Sequence, residues 1–228
     1  LALDYQAAGL YAEALKVLGV AVEEKAVTPM TYYYMGWMGA TDAFKEAEKY
    51  PSDYCFPNCA EAALALQAAL SHHADDAKAC YYLGCLYYDK RQYDLAERYW
   101  NRSAEACPEF PTVWRNLALA MFNKEHNEDQ TIEYMEKAFA LDTTDANTAL
   151  KFGQFLGNAK KYDEAVKYLE MAGRNGQEGN AKSLLSTTFL KNAAAQLKAG
   201  KYADAVELAE KANSYKENAQ AYLVAGQA

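Results

Sequence analysis

An all-α fold, a right-handed superhelix of about six stacked helical hairpins, is what this sequence predicts. Three observations carry that prediction. A short phrase recurs along the chain: Leu10-Tyr-Ala-Glu-Ala-Leu15, Gln92-Tyr-Asp-Leu-Ala-Glu97, Lys161-Tyr-Asp-Glu-Ala-Val166 and Lys201-Tyr-Ala-Asp-Ala-Val206. Each phrase follows one stretch of helical periodicity and opens another, with apolar or small residues at the spacing of a single helix face. The composition suits such a chain: of 228 residues, 51% are hydrophobic and 24% charged, enough apolar surface for a continuous core.

The elements follow in order. Leu1, Ala2 and Tyr5 match the middle of a first helix, and Tyr11, Ala14, Leu18 and Ala21 its partner, so the chain is expected to begin inside a repeat (1–28). Unit 29–76 is irregular. Tyr32, Met35, Gly36 and Gly39 fit its first helix and Ala62, Leu66 and Ala69 its second, with about 14 residues more between them than a period of about 34 allows. The surplus is expected to prolong the first helix through 43–49 and then to form the loop YPSDYCFPN at 50–58. Prolines bar a continuous helix in that loop, and Asn58 is a suitable N-cap for the next one.

Unit 77–110 is the most regular. Cys80, Leu83, Gly84 and Tyr87 mark its first helix, Tyr93, Ala96, Trp100 and Ser103 its second, and Pro108 stops it. Unit 111–145 has Trp114, Leu117, Ala118 and Met121, then Thr131, Met135 and Ala138, with His126 solvated in its turn. Unit 146–179 has Ala149, Phe152, Gly153 and Leu156, then Tyr162, Ala165, Leu169 and Ala172. After a surplus at 180–185, unit 186–218 has Phe189, Ala193 and Gln196, then Tyr202, Ala205, Ala209 and Ala212. Residues 219–228 open a further helix, so the chain is expected to end inside a repeat.

This layout resembles the tetratricopeptide repeat (TPR), whose W-x2-L-G-x2-Y…A-x3-F…A…P pattern is followed by Cys80, Leu83, Gly84, Tyr87, Ala96, Trp100 and Pro108. The likeness covers nearly the whole chain. It implies helix pairs that each bury too little apolar surface alone and are stabilised by stacking. Glycine at 36, 84 and 153, and alanine at 96, 165 and 205, let the helices of a pair approach closely. A narrower resemblance covers 50–124, which reads YPSDYCFPN, DAKACYYLGCLYYDKRQYDLAERYW and FPTVWRNLALAMFNK. It is similar to the TPR region of large bacterial proteins that carry a domain of unknown function related to carbohydrate-active enzymes. That implies a helical accessory or oligomerisation module, with any glycoside-hydrolase-like catalysis outside these residues. The likeness weakens after about residue 145. All five Cys, five Pro, three Trp and three His precede Ala146, while six Lys face four Asp and Glu from Asn180 onward. Both a separate origin for this part and ordinary drift between repeats fit that shift.

Function is read from the inner wall, which the first helices of such a stack line. The inward positions carry Tyr33 and Trp37 in unit 29–76, Tyr81, Tyr88 and Asp89 in unit 77–110, and Arg115, Phe122 and Asn123 in unit 111–145. Aromatic residues and arginine are the usual anchors of interfaces. Later units are blander, with Asn147, Leu150, Gln154 and Asn158, then Thr187, Leu190, Ala194 and Lys198. The expectation is a non-catalytic scaffold binding a protein or peptide segment in the concave groove. Two alternatives stand beside it: these rings fill the superhelix themselves, or Tyr54 and Phe56 fold back onto them. The pairs Tyr33/Trp37, Tyr81/Cys85, Arg115/Leu119 and Leu150/Gln154 lack the Lys–Asn–Arg clamp of chaperone-tail adaptors. Self-association through truncated terminal repeats is a further possible contact.

Other chemistry is thin. A net charge of −8 disfavours a nucleic-acid partner, and no apolar run reaches the ~20 residues of a membrane span. No basic and apolar leader opens the chain, which with unpaired-looking cysteines suggests a cytoplasmic protein. Cys55, Cys59, Cys80 and Cys85 are loosely spaced for zinc, and Cys107 makes the total odd, against a disulfide framework that would pair Cys55 with Cys59. His72-His73, beside Asp75 and Asp76, sits where a helix ends and reads as a cap rather than a metal site. The glycine-rich stretch 173–179 follows a helix, so it reads as a turn and not a phosphate cradle. No enzyme, cofactor or metal is expected.

Overall fold

The computed structural model describes residues 1–50, 55–125 and 127–228, and no strand occurs among them. The expectations for Tyr54 and His126 lie outside the described residues. The chain divides into two compact units, Leu1–Val113 and Trp114–Ala228.

In the first unit the order is α1 (Ala2–Ala7), α2 (Tyr11–Glu23), α3 (Pro29–Trp37), α4 (Ala43–Ala47), α5 (Ala60–His72), α6 (Ala77–Asp89) and α7 (Tyr93–Ala106). Helix α3 packs on both α4 and α5, α5 on α6, and α6 on α7. Next in the chain is α8 (Pro111–Glu125), within which the second unit begins. It continues through α9 (Glu128–Leu141), α10 (Ala146–Asn158), α11 (Tyr162–Ala172), a π-helical turn (Gly173–Gln177), α12 (Glu178–Lys198), α13 (Tyr202–Tyr215) and α14 (Ala219–Gln227). There each helix from α9 onward packs on its successor, and the alternate helices α10, α12 and α14 also touch. This is the pattern of stacked hairpins.

One backbone device ends many of the helices. Gly9, Lys25, Gly39, Arg91, Lys160 and Gly200 all adopt positive φ. The next residue in each case donates a hydrogen bond to the carbonyl five positions back, as in Leu10 N–H to Tyr5 O (2.8 Å), Gln92 N–H to Tyr87 O (2.8 Å) and Lys161 N–H to Leu156 O (2.9 Å). These are Schellman turns, which satisfy carbonyls the helix end leaves open. Leu10, Gln92, Lys161 and Lys201 then serve as N-caps of α2, α7, α11 and α13. The recurring phrase in the sequence is therefore the start of a helix launched directly from such a turn. Between hairpins, Asp76, Asp145 and Asn218 cap α6, α10 and α14 with their side chains.

Close approach explains Gly36 and Gly84. A Cβ on Gly84 would stand 2.3 Å from Cδ1 of Trp100, and one on Gly36 would stand 2.2 Å from Cε1 of Phe44. The rings lie on helix backbone, so the pairs α6–α7 and α3–α4 pack closer than any side chain at those positions permits. In the second unit, Phe152, Phe155, Leu156, Met135 and Ala165 form one core cluster, and Leu169, Leu185, Phe189, Ala193 and Ala209 form another. Each buried Leu or Phe contributes about 1.5–3 kcal/mol.

Two expectations are corrected. The first helix of unit 29–76 does not run on through 43–49. It stops at Trp37, because Gly39 takes φ +112° and Ala40 N–H bonds to Met35 O at 3.0 Å, and α4 is a separate helix. Gly39 is thus the turn residue beyond α3 and not part of its face. The N-cap of α5 is Cys59 rather than Asn58. At 173–179 the chain turns as expected: Asn175 and Gly176, the latter at φ 103°, leave helical geometry just before α12. The surplus at 180–185 is helical.

Candidate functional site

The aromatic residues of the first unit sort into two groups. Tyr33, on α3, is 0% exposed. Its hydroxyl donates to both carboxylate oxygens of Asp76, at 3.0 and 3.1 Å, and its ring lies against Phe44 and Tyr82. Tyr81 is also buried, 4.9 Å from the Phe110 ring, and its carbonyl accepts the Trp100 indole N–H at 3.2 Å. Neither ring can meet a partner without opening the core, so both are withdrawn from the docking face that their inward register suggests. Trp37 and Tyr88 remain half-exposed, and Asp89 is exposed beside Lys90, its ion-pair partner at 2.8 Å. Tyr88 is braced by Tyr93 (5.2 Å) and Trp100 (5.4 Å).

In the second unit, Arg115 is half-buried and pairs with Asp145 at 3.3 Å. Phe122 stacks 4.7 Å from Phe155, and Asn123 is exposed. Phe56 does not fold back: it is 79% exposed, while Cys55 and Pro57 beside it are buried.

Beneath the aromatic face of the first unit lies a polar cluster that the sequence reading missed. Asp76 is 1% exposed and accepts from Ala79 N–H at 2.8 Å as well as from Tyr33. Burial pushes its carboxyl above the usual 3.8, while the Ala79 N–H and the Tyr33 hydroxyl pull the other way. Burial, then the Asp76 charge, pushes the Tyr33 phenol far above its ordinary range. Two residues on, the Lys78 ammonium donates to the carbonyls of Ala47, Glu48 and Tyr50, which closes the C-terminal end of α4. Burial lowers its pKa, opposed by Asp76 and Glu48. His73 Nδ1 lies 3.8 Å from Glu48 Oε1, and the His72 ring stacks on Phe44 at 5.5 Å. His73 is the C-cap residue of α5, through its backbone N–H to Ala69 O. The available signal was Asp76 itself, an acidic residue directly ahead of a helical run. The cluster clamps α4 to α3 and α6. Its groups are saturated by one another, which marks them as structural rather than reactive.

The five cysteines are free thiols. Burial raises the thiols of Cys55 and Cys80, the latter to about 11, so both are poor nucleophiles. Among the described residues, no three His, Cys, Asp or Glu side chains converge as a metal ion would require. Among them, too, no helix is long and apolar enough to cross a membrane.

No protein-family model matches the chain. Among solved structures it is similar to YrrB, a TPR protein with an unusual peptide-binding site, at 18% identity over 92% of this chain and 98% of YrrB, with a TM-score of 0.58. PilF of Pseudomonas aeruginosa matches at 17% identity over 97% of this chain and 91% of PilF, TM-score 0.54. MamA matches at 18% identity over 81% of this chain and 92% of MamA, TM-score 0.54. At these identities the likeness is one of fold. The chain has the all-α hairpin architecture of the TPR proteins.

Proposed function

We propose that this protein is a non-catalytic scaffold that holds an extended or helical segment of a protein partner against the first helices of its hairpins. The observation that carries the reading is the contrast on one face of the first unit. Tyr33 and Tyr81 are locked in the core, whereas Trp37 and Tyr88 on the same helices stay half-exposed on a rigid base. Braced aromatic rings lose little entropy on binding and are frequent interface anchors. Fold-level analogy with YrrB, whose own structure has a peptide-binding site, supports the reading without assigning residues. In the second unit, Arg115, Phe122 and Asn123 on α8 are proposed as partner-binding residues of that unit.

The repeat division 1–28, 29–76, 77–110, 111–145, 146–179, 186–218 and 219–228 belongs to the same proposal. So does a cytoplasmic setting, which the free thiols support. The alternative, an accessory or oligomerisation module of a bacterial carbohydrate-active protein, rests on the resemblance of 50–124 alone. A β-rich domain encoded ahead of Leu1 would favour it, and sedimentation at several concentrations reads the self-association it entails. The scaffold reading is tested by capture from a lysate with the unaltered chain and with Tyr88→Ala, Trp37→Ala and Arg115→Ala. Each variant should keep its far-UV spectrum and lose a specific partner by about tenfold or more. Undiminished capture by all three would refute it.

A further inference from the structure

In the second unit, the C-terminal part of α12, the end of α10 and the start of α11 enclose a cleft of about 530 Å³. It is lined by Lys160, Lys191, Lys198, Asn158, Tyr162 and Ala194, among other small residues, and by no Asp or Glu. A three-lysine concavity is unexpected in a chain of net charge −8. Two other lysines of this unit are paired with carboxylates, Lys137 with Glu133 at 2.9 Å and Lys182 with Glu178 at 2.6 Å; what sets the cleft apart is that three lysines share one concavity. Among the described residues, no carboxylate forms an ion pair with Lys160, Lys191 or Lys198. The Lys191 ammonium donates instead to the Asn158 side-chain oxygen across the cleft, at 2.8 Å.

Helix ends alone do not account for this. Lys198 is in the last turn of α12 and Lys160 lies just past α10, where open carbonyls attract cations. Lys191 sits well inside α12. Lys160, at φ 62°, holds the turn position that Lys25 and Arg91 also fill, so its place in the cleft comes from the packing of α10 against α11 and α12.

We infer that this cleft binds an acidic segment of a protein partner, its Asp or Glu carboxylates meeting Lys160, Lys191 and Lys198 while an apolar residue rests on Ala194 and Tyr162. The inference rests on the scaffold reading only for the class of ligand; its residues are different ones. Lysine heads on flexible stems suit carboxylates spaced along a peptide; as point charges they also attract phosphate, and the displacement arm of the test separates the two. The net negative charge of the chain opposes a long polyanion such as nucleic acid. The volume lies within the range of pockets that hold several side chains.

Fluorescence anisotropy of the full chain with a fluorescein-labelled peptide of alternating Glu and Leu, and with its Gln-for-Glu counterpart, tests this. The Glu peptide should bind at least about tenfold more tightly, and its affinity should fall as salt rises from about 50 to about 300 mM. Lys191→Gln combined with Lys198→Gln should weaken it by about tenfold, at two- to fivefold per charge. Lys182→Gln removes the same charge outside the cleft and should leave binding unchanged. Equal affinity for the two peptides, or an equal loss in Lys182→Gln, overturns the proposal. Displacement of the Glu peptide by inorganic phosphate or oligo(dT) at matched concentration overturns it too, by assigning the cleft to another class of anion. Trp37 and Tyr88 do not line this cleft, so the lysate test of the aromatic face fails or succeeds separately.

Discussion

Replacing Gly84 by alanine should destabilise the first unit even though alanine is the better helix former. Within α6, the propensity gain is about 1 kcal/mol. Against it stands the indole of Trp100, whose Cδ1, Nε1 and Cγ lie 2.3, 2.4 and 2.9 Å from the new Cβ. Trp100 is buried and its N–H is bonded to Tyr81 O at 3.2 Å, so the ring has no free direction in which to retreat. Overpacking of this kind costs about 1–3 kcal/mol, and a lost buried hydrogen bond about 1 kcal/mol more. The balance is a loss of about 1–3 kcal/mol, read as a lower urea midpoint by far-UV circular dichroism, or as a melting point lower by about 2–12 °C. Gly19→Ala in α2 is the internal control, because a Cβ there meets nothing within 4 Å. It should stabilise by up to about 1 kcal/mol. If Gly84→Ala gained stability as Gly19→Ala does, close helix approach would not be what requires glycine at 84.

Further outcomes follow from the buried cluster, the turns and the thiols. Asp76→Ala removes the α6 cap and leaves the Tyr33 hydroxyl buried without its acceptor, for a loss of about 2–4 kcal/mol by urea unfolding; Asp76→Asn, which keeps an acceptor oxygen, should stay within about 1 kcal/mol of the unaltered chain. Because burial holds the Asp76 carboxyl above 3.8, the folded state keeps a proton that the unfolded chain has released. Its contribution to stability therefore falls as pH rises from 3.8 to the raised value and is flat above it; Asp76→Asn should abolish that slope, and an unchanged slope would show that another group causes it. Arg91→Gly relieves a non-glycine residue at φ 58° and should raise stability by about 0.5–1 kcal/mol in the same assay, where a loss would contradict the turn argument. In a thiol-labelling assay at pH 8, Cys59, Cys85 and Cys107 should react first, and buried Cys55 and Cys80 only on adding denaturant; five equivalent thiols in the native protein would contradict the burial described.

Much of the fold was legible because its causes are local. The phrases at Tyr11, Tyr93, Tyr162 and Tyr202 mark helix starts launched from turns only a few residues long, and Gly84 opposite Trp100 repeats the spacing of Gly153 opposite Leu169, whereas Gly36 meets Phe44 of the inserted helix. The end of α3 was misread for an equally local reason. Gly39 lies three residues after Gly36 and fits the helix face by spacing, and only the bond from Ala40 N–H to Met35 O shows that the helix has ended.

The candidate site was legible only in part. Periodicity tells which side of α3 carries Tyr33, yet what covers that side is Asp76, 43 residues later, together with Phe44 from the inserted helix. Likewise Lys160, Lys191 and Lys198 read as separate solvated charges along the chain, and only the packing of α10, α11 and α12 brings them around one cleft. The amino-acid sequence by itself determined the helices, their pairing and the faces they present, since those depend on contacts a few residues apart and on side-chain size at each crossing. Tertiary structure decided which aromatic rings are consumed by the core and which lysines share a cavity, because burial and electrostatic company depend on segments far removed in the chain, whose arrival no local pattern records.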